Sequence, residues 1–336
     1  MTATLLVQTL RDPASAARLS APDWNALIAA ARAERLIGTL AYRLEQIAVP
    51  APVRPILSDA RTEAVREARQ ALWEADRARA ALAPLNIPVV LLKGTAYAAA
   101  QLSPAQGRFI GDLDILVPRA ALDAVEAALI AAGWEWVKPD PYDDAYYRQW
   151  MHELPPLIHR DRDRMIDVHH TILPLTARPK PDAAALLADS IPISEGSLKG
   201  LRILAPTDRI CHAAAHMLAD GDLSGGLRNL WDIHCLLTDL APSEDLPTRA
   251  AHHGLTAPVA QAQRLARHLY TPQEKPAPLP LQDRLIAKRL LATNAWGQET
   301  QKPLRTAYYL RSHALRMPPM MLARHLVTKW RKGHRG

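Results

Sequence analysis

The sequence predicts an α+β protein: a small mixed β-sheet core flanked by an N-terminal helical segment and a C-terminal, mainly helical subdomain. Three observations predict it. Long stretches at either end of the chain repeat apolar residues every three to four positions, the spacing of one helix face. Between them, short β-branched runs such as Ile87 to Leu92 and Ile115 to Val117 are bounded by proline, glycine and charged residues, as buried strands are. The 336 residues, 49% hydrophobic and 22% charged, suffice for one large core or two moderate ones, which argues against disorder. The expected divisions are 1–85 (helical), 86–172 (sheet core) and 173–336 (helical, with a basic tail).

Each element follows from local pattern. From Ser20 to Gln46, Trp24, Leu27, Ile28, Ala31, Leu36, Leu40 and Leu44 mark a helix with Ser20 as N-cap. A second helix, rich in Ala, Arg and Glu, is expected over Val53 to Leu82. A strand at Ile87 to Leu92 precedes a short helix, Thr95 to Leu102, and a loop, Ser103 to Gly111. Asp112 to Val117 then reads as a strand with two outward carboxylates. Leu122, Val125, Leu129 and Ala132 define an amphipathic helix that Gly133 closes at its C-terminal cap. Trp134 to Val137 is a further strand, and Arg160 to Asp163 is a hairpin turn between strands Leu154 to His159 and Met165 to His169. After Thr171 the chain is proline-rich and then helical, with Thr207 or Asp208 as cap of a helix through His212 and His216, and an apolar stripe over Leu227 to Leu240. No internal repeat is seen.

Composition excludes several classes. Cys211 and Cys235 lack CxxC spacing, which argues against a disulfide framework or zinc ribbon and for buried reduced thiols. No apolar run is long enough to cross a bilayer, and the N-terminus lacks a secretory pattern, so the expected location is the cytoplasm, with no membrane partner. The net charge of +7 favours polyanions. Much of it sits in the tail at Arg324, Lys329, Arg331, Lys332 and Arg335, read as a solvated end that is dispensable for chemistry, with a nucleic-acid grip as the alternative.

The chemistry is concentrated in Asp112-x-Asp114. Strand side chains alternate, so these two carboxylates share a face. Side by side they repel each other and gain little from packing, whereas their oxygens suit a hard divalent cation. Asp167, 55 residues beyond Asp112, offers a third carboxylate from another strand. Upstream, Gly94-Thr95 can admit a phosphate close to the backbone, and Lys93 and Arg108 are cations that either neutralise it or serve in structural pairing, Arg108 with a site carboxylate. A bare Asp-x-Asp is common at polar strand ends; the ordered set of strand, Lys-Gly-Thr, Asp-x-Asp and carboxylate strand carries the inference. Glu153 and Asp163 are the nearest alternatives should Asp167 be structural.

Leu91-Leu92-Lys93-Gly94, Arg108, Gly111 to Val117 and Ile166-Asp167-Val168-His169 together resemble the uncharacterised nucleotidyltransferase family of the DNA polymerase beta-like superfamily. The resemblance covers roughly Ile87 to Thr171 and extends more loosely to His216 and to Leu227 through Asp232. It implies a nucleotidyltransferase core in which Asp112, Asp114 and Asp167 are catalytic metal ligands and Gly94-Thr95 is the phosphate turn. The cofactor implied is Mg²⁺ or Mn²⁺ and the substrate an NTP, with ATP as the first choice. Gly-Thr replaces the superfamily's usual Gly-Ser, and the gap to Asp112 is longer than in minimal members.

Other residues keep two readings. His169 shares the face of Asp167 and either reaches the substrate or packs. His212 and His216 lack the glutamate of a zinc-protease helix and read as packing residues, one of which lines the cleft. Arg228 and Asp232 have the i,i+4 spacing of a helix-surface pair, while the resemblance implies that this region lies close to the nucleotide cleft. The expected activity is transfer of a nucleoside monophosphate to a small-molecule or protein acceptor with release of pyrophosphate. The alternatives are an RNA- or tRNA-modifying, toxin-like enzyme and a nucleotide-binding regulator without turnover.

Overall fold

The computed structural model describes residues 2–137, 140–221, 223–241, 244–272, 277–317, 320 and 322. The basic tail residues named above lie outside them. Among the described residues the protein is α+β, with a mixed seven-stranded sheet in the order β3-β4-β5-β2-β1-β7-β6. The strands are β1 (Val90–Leu91), β2 (Leu113–Leu116), β3 (Trp134–Trp136), β4 (Leu157–His159), β5 (Met165–His169), β6 (Ile191–Pro192) and β7 (Arg202–Ile203). Among the described residues no helix is long and apolar enough to cross a membrane.

Local sequence explains much of this. Ser20 caps the helix Ala21–Ala33 through a reciprocal capping box with Asp23. The expected single helix to Gln46 is instead two, Ala21–Ala33 and Ile37–Arg43, because Arg35 adopts a left-handed φ of 54° between them. Helix Val53–Leu82 forms as expected. It is tied to the β4–β5 hairpin by Arg162, which donates to Glu74 at 2.8 and 3.0 Å and lies over the Trp134 ring. Gly133, with φ 103°, ends helix Leu122–Ala131.

Helix Pro206–Ala214 begins without a side-chain cap, contrary to the reading of Thr207 or Asp208. Asp208 is buried and accepts from Arg249 at 2.5 Å and His253 at 3.0 Å, a tertiary use of a residue whose type alone suggests a cap. Both cysteines are free and buried. Helices Thr2–Arg11 and Pro141–Trp150 and the short strands β6 and β7 have no counterpart in the sequence reading, and the last two extend the sheet beyond residue 172.

Pairing sets the site. β2 lies between β1, antiparallel, and β5, parallel, and in the β2–β5 register Asp114 is opposite Asp167. Leu113, Ile115, Ile166 and Val168 are buried on the face opposite Asp114 and Asp167, so the register is fixed by apolar packing and a one-residue slip of either strand would turn its apolar pair to the face of the aspartates.

The loop carrying Arg108 is anchored by backbone contact. A Cβ on Gly107, whose φ is 69°, would lie 2.3 Å from Gly38 O, and Thr39 Oγ1 donates to Gln106 O at 3.1 Å. Gly107→Ala therefore combines a strained φ with a backbone clash, and we expect it to lower stability by about 1–3 kcal/mol. Urea denaturation measures this, and an unchanged midpoint would contradict it.

Candidate active site

Asp112 is exposed immediately before β2, Asp114 is buried within β2, and Asp167 is half-buried in β5. Asp114 thus differs from the outward carboxylate the sequence suggested. One carboxylate oxygen from each residue falls within 4.8 Å of the others. The parallel register places Asp114 beside Asp167, and strand alternation brings Asp112 to the same face.

Asp114 is the electrostatic centre. Its Oδ1 accepts from Lys93 Nζ at 2.6 Å and from His169 Nε2 at 3.0 Å. Burial alone would raise its pKa, but Lys93 and His169 outweigh burial and hold it well below the usual carboxylate range. Burial works against the charge on Lys93 too, yet Asp114 keeps its amine above the ordinary lysine value. Asp167 makes no side-chain hydrogen bond or ion pair among the described residues, and the pull of His169 is outweighed. Burial, and then the negative charges of Asp114 and Glu153, push its carboxyl up to about 7.

Lys93 begins helix Lys93–Ala99 with a left-handed φ of 46°, so Gly94 and Thr95 lie in that helix's first turn rather than ahead of it. The backbone enters it directly from β1, where Leu92 N–H donates to Asp114 O at 3.0 Å. Gly94 makes room for Arg108, whose Nε would be 2.7 Å from an added Cβ. Thr95 is buried, and its Oγ1 has no hydrogen-bond partner among the described residues.

Arg108 pairs with Asp232 and lies over the Tyr97 ring. Arg228 also holds Asp232, with Nε 2.9 Å from Oδ1, and donates to Thr39 Oγ1 at 2.6 Å. Arg228 and Asp232 are 5% and 3% exposed, so this pair is buried and not the helix-surface pair the spacing suggested. Lys93, Arg108, His212, His216, Asn229 and Asp232 line one small cleft. Burial, followed by the charge of Lys93, lowers His216 to about 3 and leaves His212 neutral as well.

Residues 20–271 match the family described as uncharacterised nucleotidyltransferase. The chain belongs to that family. The match spans the sheet, the three aspartates and the helix bearing Arg228 and Asp232, so the acidic cluster and the buried arginine network lie within the matched residues. A comparison with curated proteins finds no match.

Two residues beside the three aspartates have a weak sequence signal. Glu153 pairs with His169 as an isolated antiparallel bridge and places Oε2 3.3 Å from His169 Nδ1. His152 stacks beside His169 with ring centroids 5.1 Å apart. Neither position shows a motif in the sequence, although Glu153 stands among the alternatives for a third carboxylate. Asp163, the other alternative, is exposed in the β4–β5 turn with φ 53°.

Proposed function

We propose that this nucleotidyltransferase moves a nucleoside monophosphate from an NTP to a small-molecule or protein acceptor, and that Asp112, Asp114 and Asp167 hold Mg²⁺ or Mn²⁺ for that reaction. The observation that carries the reading is the convergence of the three carboxylates within 4.8 Å. The donor set fits a hard cation, since all its atoms are carboxylate oxygens and the charges of Asp114 and Glu153 crowd Asp167 more than the nearby His169 relieves it. When bound, such an ion supplies charge neutralisation and polarisation of phosphate and acceptor oxygens.

The chain's own residues have separable tasks in this reading. Asp112, exposed, meets the incoming triphosphate side. Asp114, already ionised by Lys93 and His169, is a fixed negative centre that needs no proton removed before it binds a cation. Lys93 and Arg108 neutralise phosphate oxygens, each exchanging part of its present carboxylate contact for the ligand. The unpartnered Thr95 Oγ1 on the first turn beside Lys93 supports a phosphate contact there. Asp167, whose carboxyl is pushed up to about 7, belongs on the side where the acceptor hydroxyl or amine is activated.

Incubation of the protein with each labelled NTP, Mg²⁺ and a cell extract tests the activity and locates the label in protein, metabolite or RNA. Label in RNA would assign the toxin-like alternative. NTP binding without transfer to any fraction would leave a regulator. For the cation, calorimetry with and without chelator is decisive: NTP binding should weaken at least about tenfold on chelation, and Asp112→Ala should do the same. Tight binding indifferent to both would remove these carboxylates from the nucleotide site.

A further inference from the structure

His152 and Glu153 follow helix Pro141–Trp150 and run beside the end of β5, where His170 N–H donates to His152 O at 2.8 Å. His169 presents its two ring nitrogens to different carboxylates. Nε2 donates to Asp114 Oδ1 at 3.0 Å, whereas Nδ1 lies 3.3 Å from Glu153 Oε2. His152 Nε2 is 3.7 Å from that same Glu153 oxygen. One ligand atom from each of His152, Glu153 and His169 lies within 4.8 Å of the others.

Both histidines are buried, at 8% and 2% exposure, and the Nδ1 of each makes no hydrogen bond among the described residues. With the Nε2 proton given to Asp114, His169 Nδ1 carries a lone pair that faces a carboxylate oxygen. Two electron-rich atoms so placed away from water call for a cation between them. A proton is the simplest candidate, but it would serve only His169 and Glu153 and leave the alignment of His152 without a purpose. A metal ion uses all three. The Asp114–His169 hydrogen bond is the carboxylate–histidine arrangement that fixes a ligand's tautomer and raises its basicity.

We propose that His152, Glu153 and His169 form a binding site for a divalent transition metal of the zinc class, distinct from the three aspartates and joined to them through the His169–Asp114 hydrogen bond. Two imidazoles with one carboxylate make a nitrogen-rich donor set that selects Zn²⁺ or Co²⁺ over Mg²⁺, whereas the all-oxygen aspartate cluster has the reverse preference. The site does not depend on the transfer reaction and stands or falls separately from it.

The test uses the full chain, stripped with chelator and dialysed against Zn²⁺ in excess Mg²⁺, with bound metal counted by mass spectrometry. Co²⁺, whose visible absorption reports nitrogen ligation at low coordination number, serves as a second probe. Zn²⁺ and the Co²⁺ bands should be retained by wild type and by Asp112→Ala. Affinity should fall at least about tenfold in His152→Ala and in Glu153→Gln, each checked by circular dichroism. Should His152→Ala not fold, Glu153→Gln, which keeps the side-chain shape, gives the same comparison. The proposal is overturned if wild type retains no Zn²⁺, if both variants bind it as wild type does, or if Asp112→Ala or excess Mg²⁺ removes it, which would place the ion on the aspartates.

Discussion

Asp167→Asn is expected to lower nucleotidyl transfer at least about a hundredfold while leaving NTP affinity within about tenfold of wild type. The substitution keeps the side-chain shape and removes the charge. If Asp167 acts on the acceptor side, its contribution appears mainly in the transition state, so rate falls and ground-state binding survives. Single-turnover rates together with calorimetric NTP affinity separate the two quantities, and near wild-type transfer would make Asp167 a structural strand residue.

The same variant carries a stability signature of opposite sign. In metal-free protein the Asp167 carboxyl is raised from its ordinary 3.8 to about 7 by burial and by the charges of Asp114 and Glu153. Between those values the folded protein binds more protons at this group than the unfolded chain does. Its contribution therefore falls as pH rises from near 3.8 to about 7 and stays low above that. Asp167→Asn should remove this decline, so its melting temperature in chelator should exceed that of wild type at pH 8 and approach it at pH 4. A variant less stable at pH 8 would refute the repulsion on which the cation site rests.

Asp114→Asn is the second large effect and combines loss of activity with loss of stability. Asp114 is the partner of both Lys93, at 2.6 Å, and His169, at 3.0 Å, inside the protein. Removing one member of a buried charge network leaves the others uncompensated, which costs about 3–5 kcal/mol. Because the folded pKa of Asp114 is depressed, its stabilisation is present above the ordinary value of 3.8 and is lost as pH falls toward the folded value. Guanidinium denaturation at pH 7 and pH 3 should show a large gap between wild type and variant that narrows at the lower pH. Equal stability at pH 7 would mean that Lys93 and His169 find other partners. Two aspartates opposite each other on paired strands thus respond with opposite signs, because Asp114 bonds directly to a lysine and a histidine, whereas at Asp167 burial and the neighbouring carboxylates outweigh the pull of His169.

The short elements of the core were largely legible. β2 with its Asp-x-Asp, the β4–β5 hairpin around Arg160 to Asp163, the Gly133 cap and the Ser20 cap all depend on interactions within a few residues, where type and spacing carry the information. The break at Arg35 was not legible, since an arginine with positive φ is set by how the two flanking helices pack. The strands β6 and β7 were also hidden, because two-residue edge strands have no periodicity to detect.

In the site, the sequence by itself determined which residue types could meet: two carboxylates on one face of a strand, a third on a later strand, and Lys93 and Arg108 nearby. The tertiary structure alone decided their states. The β2–β5 register set Asp114 against Asp167, a contact between residues 53 positions apart that no local pattern encodes. Burial turned the Arg228–Asp232 spacing from a surface pair into the support of Arg108, and Asp208 from an expected cap into a partner of Arg249 and His253. The bridge from Glu153 to His169 brought a second, nitrogen-rich donor set against the first. The physical reason is common to all of these. Charge and desolvation depend on what surrounds a group in three dimensions, whereas strand alternation and helix capping depend on covalent neighbours and can be read along the chain.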